Sequence, residues 1–168
     1  MYALPLEHTV DSWGYRLQEP DGITLDPARL EAAGIRGPAI GRLVKEGAIE
    51  IGGRRIVPSD VGMVKRGKSV AFVMDTRRCR NAVELARDVD LLIIESTYLQ
   101  SEAREADERG HLTARSAAQI GVEAGARRVV LTHFSQRHPS VGPFLDEAGA
   151  VHGDVIAAED GARIRLPG

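Results

Sequence analysis

The sequence predicts an α/β protein whose central sheet is buried on both faces, and three observations carry that expectation. Three short apolar runs, Ser69–Met74, Asp90–Ile94 and Arg128–Leu131, each stop abruptly at polar residues. Segments of helical spacing separate the runs. The runs are continuous and do not alternate, which marks strands covered on both sides and joined by βαβ crossovers.

In chain order, the first ten residues read as a short strand ending near Glu7-His8. From Asp11 to Asp60 glycine, proline and charge dominate, with one amphipathic piece around Pro27 to Ala33 that Ile35-Arg36-Gly37-Pro38 interrupts. Ile49–Ile51 and Arg54–Val57 flank Gly52-Gly53, the pattern of a tight hairpin. Beyond Ser59 the strand–helix alternation takes over. Asn81–Arg87 has helical spacing, and Ala114–Ala124 is an alanine-rich amphipathic helix that Gly125 closes. Val155–Ala157 and Ala162–Leu166 are expected to complete the sheet.

Composition narrows the function classes. The 168 residues suffice for one compact domain, with a formal net charge of −2, so any nucleic-acid contact must come from local basic patches. No apolar run approaches the roughly 20 residues of a membrane helix. Met1–Val10 lacks the basic and apolar regions of a secretory signal. Cys79 is the single cysteine, which excludes an internal disulfide and favours a reducing cytoplasm.

The polar residues that end the three runs are Asp75-Thr76, Glu95-Ser96-Thr97 and His133-Phe134-Ser135. Ligands of open α/β sheets collect at the carboxyl ends of the strands, so neighbouring parallel strands would bring Asp75, Glu95 and His133 to one edge. Each has a plain alternative: Asp75 as a helix cap, Glu95 as an acceptor of turn amides, and His8 and His133 as satisfied or surface histidines. His111 could be a solvated residue before a helix, and Ser135, Arg137 and His138 a polar loop. Arg77, Arg78 and Arg80 suit phosphate or, by default, a solvated helix face. His, Asp and His at strand ends form a donor set suited to zinc.

These pieces resemble ribonuclease Z, a family of tRNA 3′-processing endonucleases in the metallo-β-lactamase superfamily, along nearly the whole chain. Pro5-Leu6-Glu7-His8 with Ser12-Trp13-Gly14-Tyr15-Arg16 is similar to the segment carrying a zinc-binding histidine. Gly34-Ile35-Arg36-Gly37-Pro38 and Leu43–Gly47 resemble the family's tRNA-binding arm. Met74-Asp75-Thr76 resembles its Gly-Asp-Thr motif, and Leu92–Thr97 its His-Glu-Ala-Thr strand end. Gly110-His111-Leu112-Thr113-Ala114 is similar to Gly-His-Ser-Thr-Ala, and Leu131–His138 to Leu-Thr-His-Phe-Ser-x-Arg-Tyr.

The resemblance implies an αββα four-layer sandwich, of which this chain is the carboxyl-terminal half, with a protruding arm over residues 17–47. It implies two zinc ions bridged by Asp75, with His8 on one and His133 on the other. His111 would donate a proton or hydrogen bond to the leaving ribose oxygen, and Glu95 would orient a neighbouring group. Ser135, Arg137, Gly37 and Pro38 would contact precursor tRNA.

The departures are specific. Ile94, Leu112 and His138 replace the usual histidine, serine and tyrosine, with Thr113 left to cap the following helix. The His-x-His-x-Asp-His motif that supplies four metal ligands is absent, since the only histidines are His8, His111, His133, His138 and His152. By resemblance it precedes His8, so Met1 is expected to be a truncated or internal start and the chain alone to be inactive. A sheet face left without its partner layer implies a homodimer or association with an amino-terminal half. The alternatives are a non-catalytic RNA-binding or regulatory paralogue and another phosphodiesterase of the superfamily.

Overall fold

A computed structural model describes residues 1–168. In chain order the elements are β1 (Tyr2–Leu6), β2 (Ser12–Gln18), β3 (Gly22–Leu25), α1 (Pro27–Ala32), α2 (Pro38–Glu46), β4 (Ile49–Ile51), β5 (Arg54–Ile56) and β6 (Gly62–Lys65). They continue with β7 (Ser69–Val73), α3 (Arg80–Ala86), β8 (Leu91–Glu95), α4 (Ala103–Arg109), α5 (Ala114–Ala124), β9 (Val129–Thr132), α6 (Gly142–Gly149) and β10 (Val155–Ala157). The chain divides into two compact units, Met1–Gln18 with Lys68–Gly168, and Glu19–Gly67.

The first unit is built on a six-stranded mixed sheet of order β1-β2-β7-β8-β9-β10. β7, β8, β9 and β10 run parallel, as the apolar runs predict, and the β1–β2 hairpin joins antiparallel to β7. One sheet face packs on α3, α5 and α6: Ala71, Val73, Leu92, Ile94, Val129 and Leu131 share a core with Leu85, Ile120 and Phe144. Gly14 is needed on that face, because a Cβ there would come within 2.4 Å of Leu85 Cδ1.

The opposite face is left partly open, as expected of a sheet without its partner layer: Leu91 and Val130 are buried there, but the side chains of β2 and part of β7 are not. Trp13, Tyr15 and Leu17 alternate along β2, with Tyr15 opposite Phe72 on β7, and all four side chains are exposed. The apolar runs therefore report a sheet made to be covered on both faces, of which helices in this chain cover one.

Local chemistry explains the helix ends. Thr113 caps α5 by accepting from the Ser116 amide, the role left to it by Leu112, and Gly125 ends that helix in the left-handed region. Asp75 does not cap a helix; α3 begins at Arg80, with Cys79 at its N-cap. Residues 162–166 form no strand, a correction to the expected closing element. Pairing ends at β10, where the Ala158 amide donates to Leu131 O.

The second unit has its own core of Leu30, Ile35, Leu43, Ile49, Ile56 and Val61. β3 pairs with β6, and β4 with β5 across Gly52-Gly53, both at positive φ as a two-residue hairpin turn requires. Asp26 caps α1, whereas α2 starts at Pro38 after Gly37. Pro38 thus opens a helix where the sequence reading saw only an interruption, because the amide that proline lacks has no intrahelical partner in the first turn.

Candidate metal and phosphodiester site

The carboxyl ends of β7, β8 and β9 place Asp75, Glu95 and His133 at one sheet edge, as their positions after the apolar runs predict. Asp75 and His133 leave their strands in the left-handed region, at φ 50° and 59°, so both chains turn sharply at the edge. A non-glycine residue there costs on the order of 1–2 kcal/mol, and such strain gathers at functional sites.

Glu95 is the centre of the arrangement and is fully buried. Its Oε1 accepts from the Thr76 amide at 2.7 Å and lies 3.0 Å from His111 Nδ1. Its Oε2 accepts from the Thr97 hydroxyl at 2.7 Å and from the Leu112 amide at 3.1 Å. These four contacts fill the acceptor sites of a carboxylate, which explains how an acid is buried without a cationic partner.

Partner chemistry then assigns the ring protons of the neutral histidines. A carboxylate only accepts, so His111 carries its proton on Nδ1. Thr97 Oγ1 also lies 2.8 Å from His133 Nδ1, and its single proton goes to Glu95, so His133 donates from Nδ1. His8 Nδ1 meets the carbonyl of Gly110 at 2.9 Å and is likewise the donor. Gly110, at φ 77°, permits that approach, since a Cβ would come within 2.9 Å of the ring. In all three histidines the free lone pair is on Nε2.

These residues also lie close together. Ligand atoms of Asp75, His111 and His133 lie within 4.8 Å of one another. His133 Nε2 is 3.4 Å from Asp75 Oδ1, and the His8 and His111 rings are 4.8 Å apart between centroids. With Nδ1 as the donor, the Asp75–His133 approach sets two acceptors against each other with no proton between them. A cation, or a second proton on His133, resolves that conflict. Around tetrahedral zinc, ligand atoms at about 2.0–2.1 Å from the metal lie about 3.3 Å apart, so the cluster is slightly open and of the right donor type.

His8, Asp75, Glu95, His111 and His133 therefore come together. His111, to which the resemblance assigns proton donation, is the third member of the tightest cluster, with His8 beside it. The end of β1 is tied to the Asp75 turn through the Arg77 amide and Glu7 O, at 2.8 Å.

Ser135 follows His133 on the loop after β9, its amide donating to Thr97 O. Arg137 is ion-paired with Glu102 and Glu105 and lies over the Tyr98 ring. Hydrogen bonds to Glu105 and Glu102 raise its pKa further. Gly37 and Pro38 belong to the second unit. Arg77 and Arg78 are engaged by Asp107 and Glu123. His152 is structural: buried, with Nε2 donating to Ala126 O.

Thr97 and Thr76 are the site residues that sequence reasoning missed. The signal was present, because Glu95 and Thr97 are two apart at a strand end and so share one face.

A mixed sheet with helices on one face and a His/Asp cluster at its carboxyl edge defines an α/β protein that gathers side chains of metal-ligand type. Residues 50–134 match the beta-lactamase superfamily domain, and the chain belongs to that family. It is 47% identical over 166 residues to the Ribonuclease Z of Salinispora arenicola (strain CNS-205), covering 98% of this chain and 54% of that relative. It is 46% identical over 166 residues to the Ribonuclease Z of Nocardia farcinica (strain IFM 10152), with the same coverage. The chain thus spans about half the length of the curated relatives it matches.

Among solved structures, the metallo-beta-lactamase fold protein YhfI from Bacillus subtilis superposes with a TM-score of 0.59 at 17% identity, covering 95% of this chain and 46% of that one. Human tRNase Z, short form, gives 0.53 at 22% identity, covering 98% and 41%. Both likenesses are of fold.

Proposed function

We propose that this chain forms part of a zinc-dependent endoribonuclease that removes 3′ trailers from precursor tRNA, and that it does not complete the reaction by itself. The similarity to proteins named Ribonuclease Z supports the reading. One observation carries it: possible ligand atoms of Asp75, His111 and His133 lie within 4.8 Å of one another at the carboxyl edge of the sheet, with the His8 ring beside His111.

In this reading His8, Asp75 and His133 hold metal, with the remaining ligands supplied by a His-x-His-x-Asp-His motif that these residues do not include. Bound zinc would supply the charge that activates water and stabilises the phosphodiester oxygens. In its doubly protonated form His111 delivers the Nε2 proton to the leaving ribose oxygen and returns to the Nδ1–H form. Glu95, holding Nδ1–H, fixes that ring and stabilises its charged form. Ser135 and the donors of Arg137 left over from its carboxylates contact substrate phosphates. The arm, residues 17–47 with Gly37 and Pro38, grips tRNA through backbone amides and scattered cations, reading shape more than sequence.

The exposed face of β2 and β7 is covered by a second copy of this chain or by an amino-terminal half. A cytoplasmic place of action fits a chain with one thiol and no possible internal disulfide.

The test is reconstitution. Mixed with the amino-terminal segment of the Salinispora arenicola relative and zinc, the chain should cleave the 3′ trailer of a precursor tRNA; alone it should not. Asp75→Ala and His133→Ala should each lower the reconstituted rate by orders of magnitude, and His111→Ala should do so with zinc content unchanged. Full cleavage by the His133→Ala variant would count against the assignment.

A further inference from the structure

We propose that Thr97 is a positioning residue that relays the charge of Glu95 to His133 and so fixes which nitrogen of His133 is free. Thr97 is buried, and its hydroxyl lies between the Glu95 carboxylate and the His133 ring, at 2.7 and 2.8 Å. A hydroxyl has one proton and accepts through its lone pairs. Given to Glu95, that proton leaves only the acceptor side for the imidazole, which must then present Nδ1–H. The Ser135 amide donates to Thr97 O at 3.1 Å and ties the loop carrying His133 to the same strand end.

One buried carboxylate therefore orients two rings, His111 directly and His133 through a hydroxyl. His133 presents Nε2 to Asp75 Oδ1, and His111 has a ligand atom within 4.8 Å of those of both. Without the Thr97 hydroxyl nothing holds the His133 proton on Nδ1, and Asp75 Oδ1, 3.4 Å from Nε2, draws it across the ring to the metal-facing nitrogen. The neutral ring then offers that nitrogen as a donor, which no cation can use. The use made of Nε2 rests on the metal-dependent reading above; the tautomer does not.

The two remaining histidines provide a reference within the same molecule. His152 Nε2 faces Ala126 O at 2.9 Å, and its Nδ1 accepts from the Asp154 amide at 3.1 Å. His138 Nε2 faces Glu102 Oε2 at 2.9 Å. Both are Nε2–H, the opposite of His8, His111 and His133.

Long-range proton–nitrogen correlation spectra of the nitrogen-15-labelled chain, without metal and well above the ordinary imidazole range, read each tautomer directly. The expected result is Nδ1–H at His133 and Nε2–H at His152. Thr97→Val should convert His133 to a mixture dominated by Nε2–H while leaving His152 unchanged, and Thr97→Ser should restore Nδ1–H. Zinc added to the same samples should bind the valine variant about tenfold or more weakly than the parent, the size of effect typical of groups that orient a ligand. The serine variant should match the parent.

Nε2–H at His133 in the unsubstituted chain overturns the proposal and needs no variant to fold. So does a valine variant that keeps Nδ1–H. The predicted tautomers in a chain that shows no zinc binding even when the amino-terminal segment is added would uphold the relay and discard the metal reading.

Discussion

Asp75 and His133 stand on either side of β8, at the ends of β7 and β9, and reach across it to bring Oδ1 within 3.4 Å of Nε2. Strands two apart are separated by about 10 Å. The gap is closed because both residues adopt positive φ, 50° and 59°, and turn their chains over the intervening strand end. The strain and the site are one feature.

Substitutions at Asp75 should reveal that strain. Asp75→Gly is expected to be more stable than Asp75→Ala by about 1 kcal/mol, since only glycine occupies the left-handed region without a Cβ penalty. Both variants lose the carboxylate, so they should be equally defective in binding zinc. Urea denaturation with a parallel zinc titration measures both; an alanine variant at least as stable as the glycine variant would contradict the account.

Removing the charge of Glu95 should be costly even without metal. Glu95→Gln places an amide NH2 against donors that now meet a carboxylate oxygen, and is expected to lower stability by roughly 2–3 kcal/mol, as for a buried hydrogen-bonded charge. His111 should lose its Nδ1–H preference in the same variant. A glutamine variant with parental stability would show that the four contacts to Glu95 contribute little.

Zinc retention by the chain should be weak. Three or four protein ligands with no partner motif leave two metal positions incompletely compensated. Dialysis against a mild chelator followed by metal analysis should leave well under one zinc per chain. Two retained ions would mean that residues of this chain complete the site unaided.

Acid should unfold the first unit partly through Asp90. This residue joins the start of β8 to the start of β7: it accepts from the Ser69 amide at 2.9 Å and from Arg127 at 3.0 Å, with Lys68 at 3.5 Å. Burial pushes its pKa up, but the Ser69, Arg127 and Lys68 interactions outweigh it and hold the carboxyl below the ordinary aspartate value. A folded pKa below the unfolded one gives stability that is present above the unfolded value and lost as pH falls through the folded one. Asp90→Asn should cost about 1–2 kcal/mol near neutrality. Its stability should decline less steeply than the parent's below the ordinary aspartate range, by denaturant titration at stepped pH.

The exposed sheet face should drive association. Trp13, Tyr15, Leu17 and Phe72 lie together on β2 and β7. A contiguous apolar patch of this kind is uncommon on monomers, and two-fold pairing is its commonest outcome. Light scattering at micromolar concentration should report dimers or larger species, and Leu17→Lys with Phe72→Lys should return a monomer. A parent chain monomeric at that concentration would require other cover for the face.

Much of this was legible in the sequence, for a specific reason. An apolar run reports the burial of its own side chains, so Ser69–Met74, Asp90–Ile94 and Arg128–Leu131 announced parallel strands. The polar residues at their ends had to fall at one edge, and Asp75, Glu95 and His133 followed. The Gly52-Gly53 hairpin and the capping of α5 by Thr113 were equally local, fixed by φ preference and side-chain reach.

What the sequence could not contain was partnership between distant segments. That His8 donates to Gly110, that Thr97 hands one proton to Glu95 and receives another from His133, and that His111 joins Asp75 in the tightest cluster all depend on which strand lies beside which. So does the exposure of Trp13, Tyr15, Leu17 and Phe72, which strand alternation alone does not reveal. Periodicity records how deeply a side chain is buried, whereas hydrogen-bond direction and ligand geometry are set by whatever tertiary packing brings opposite it.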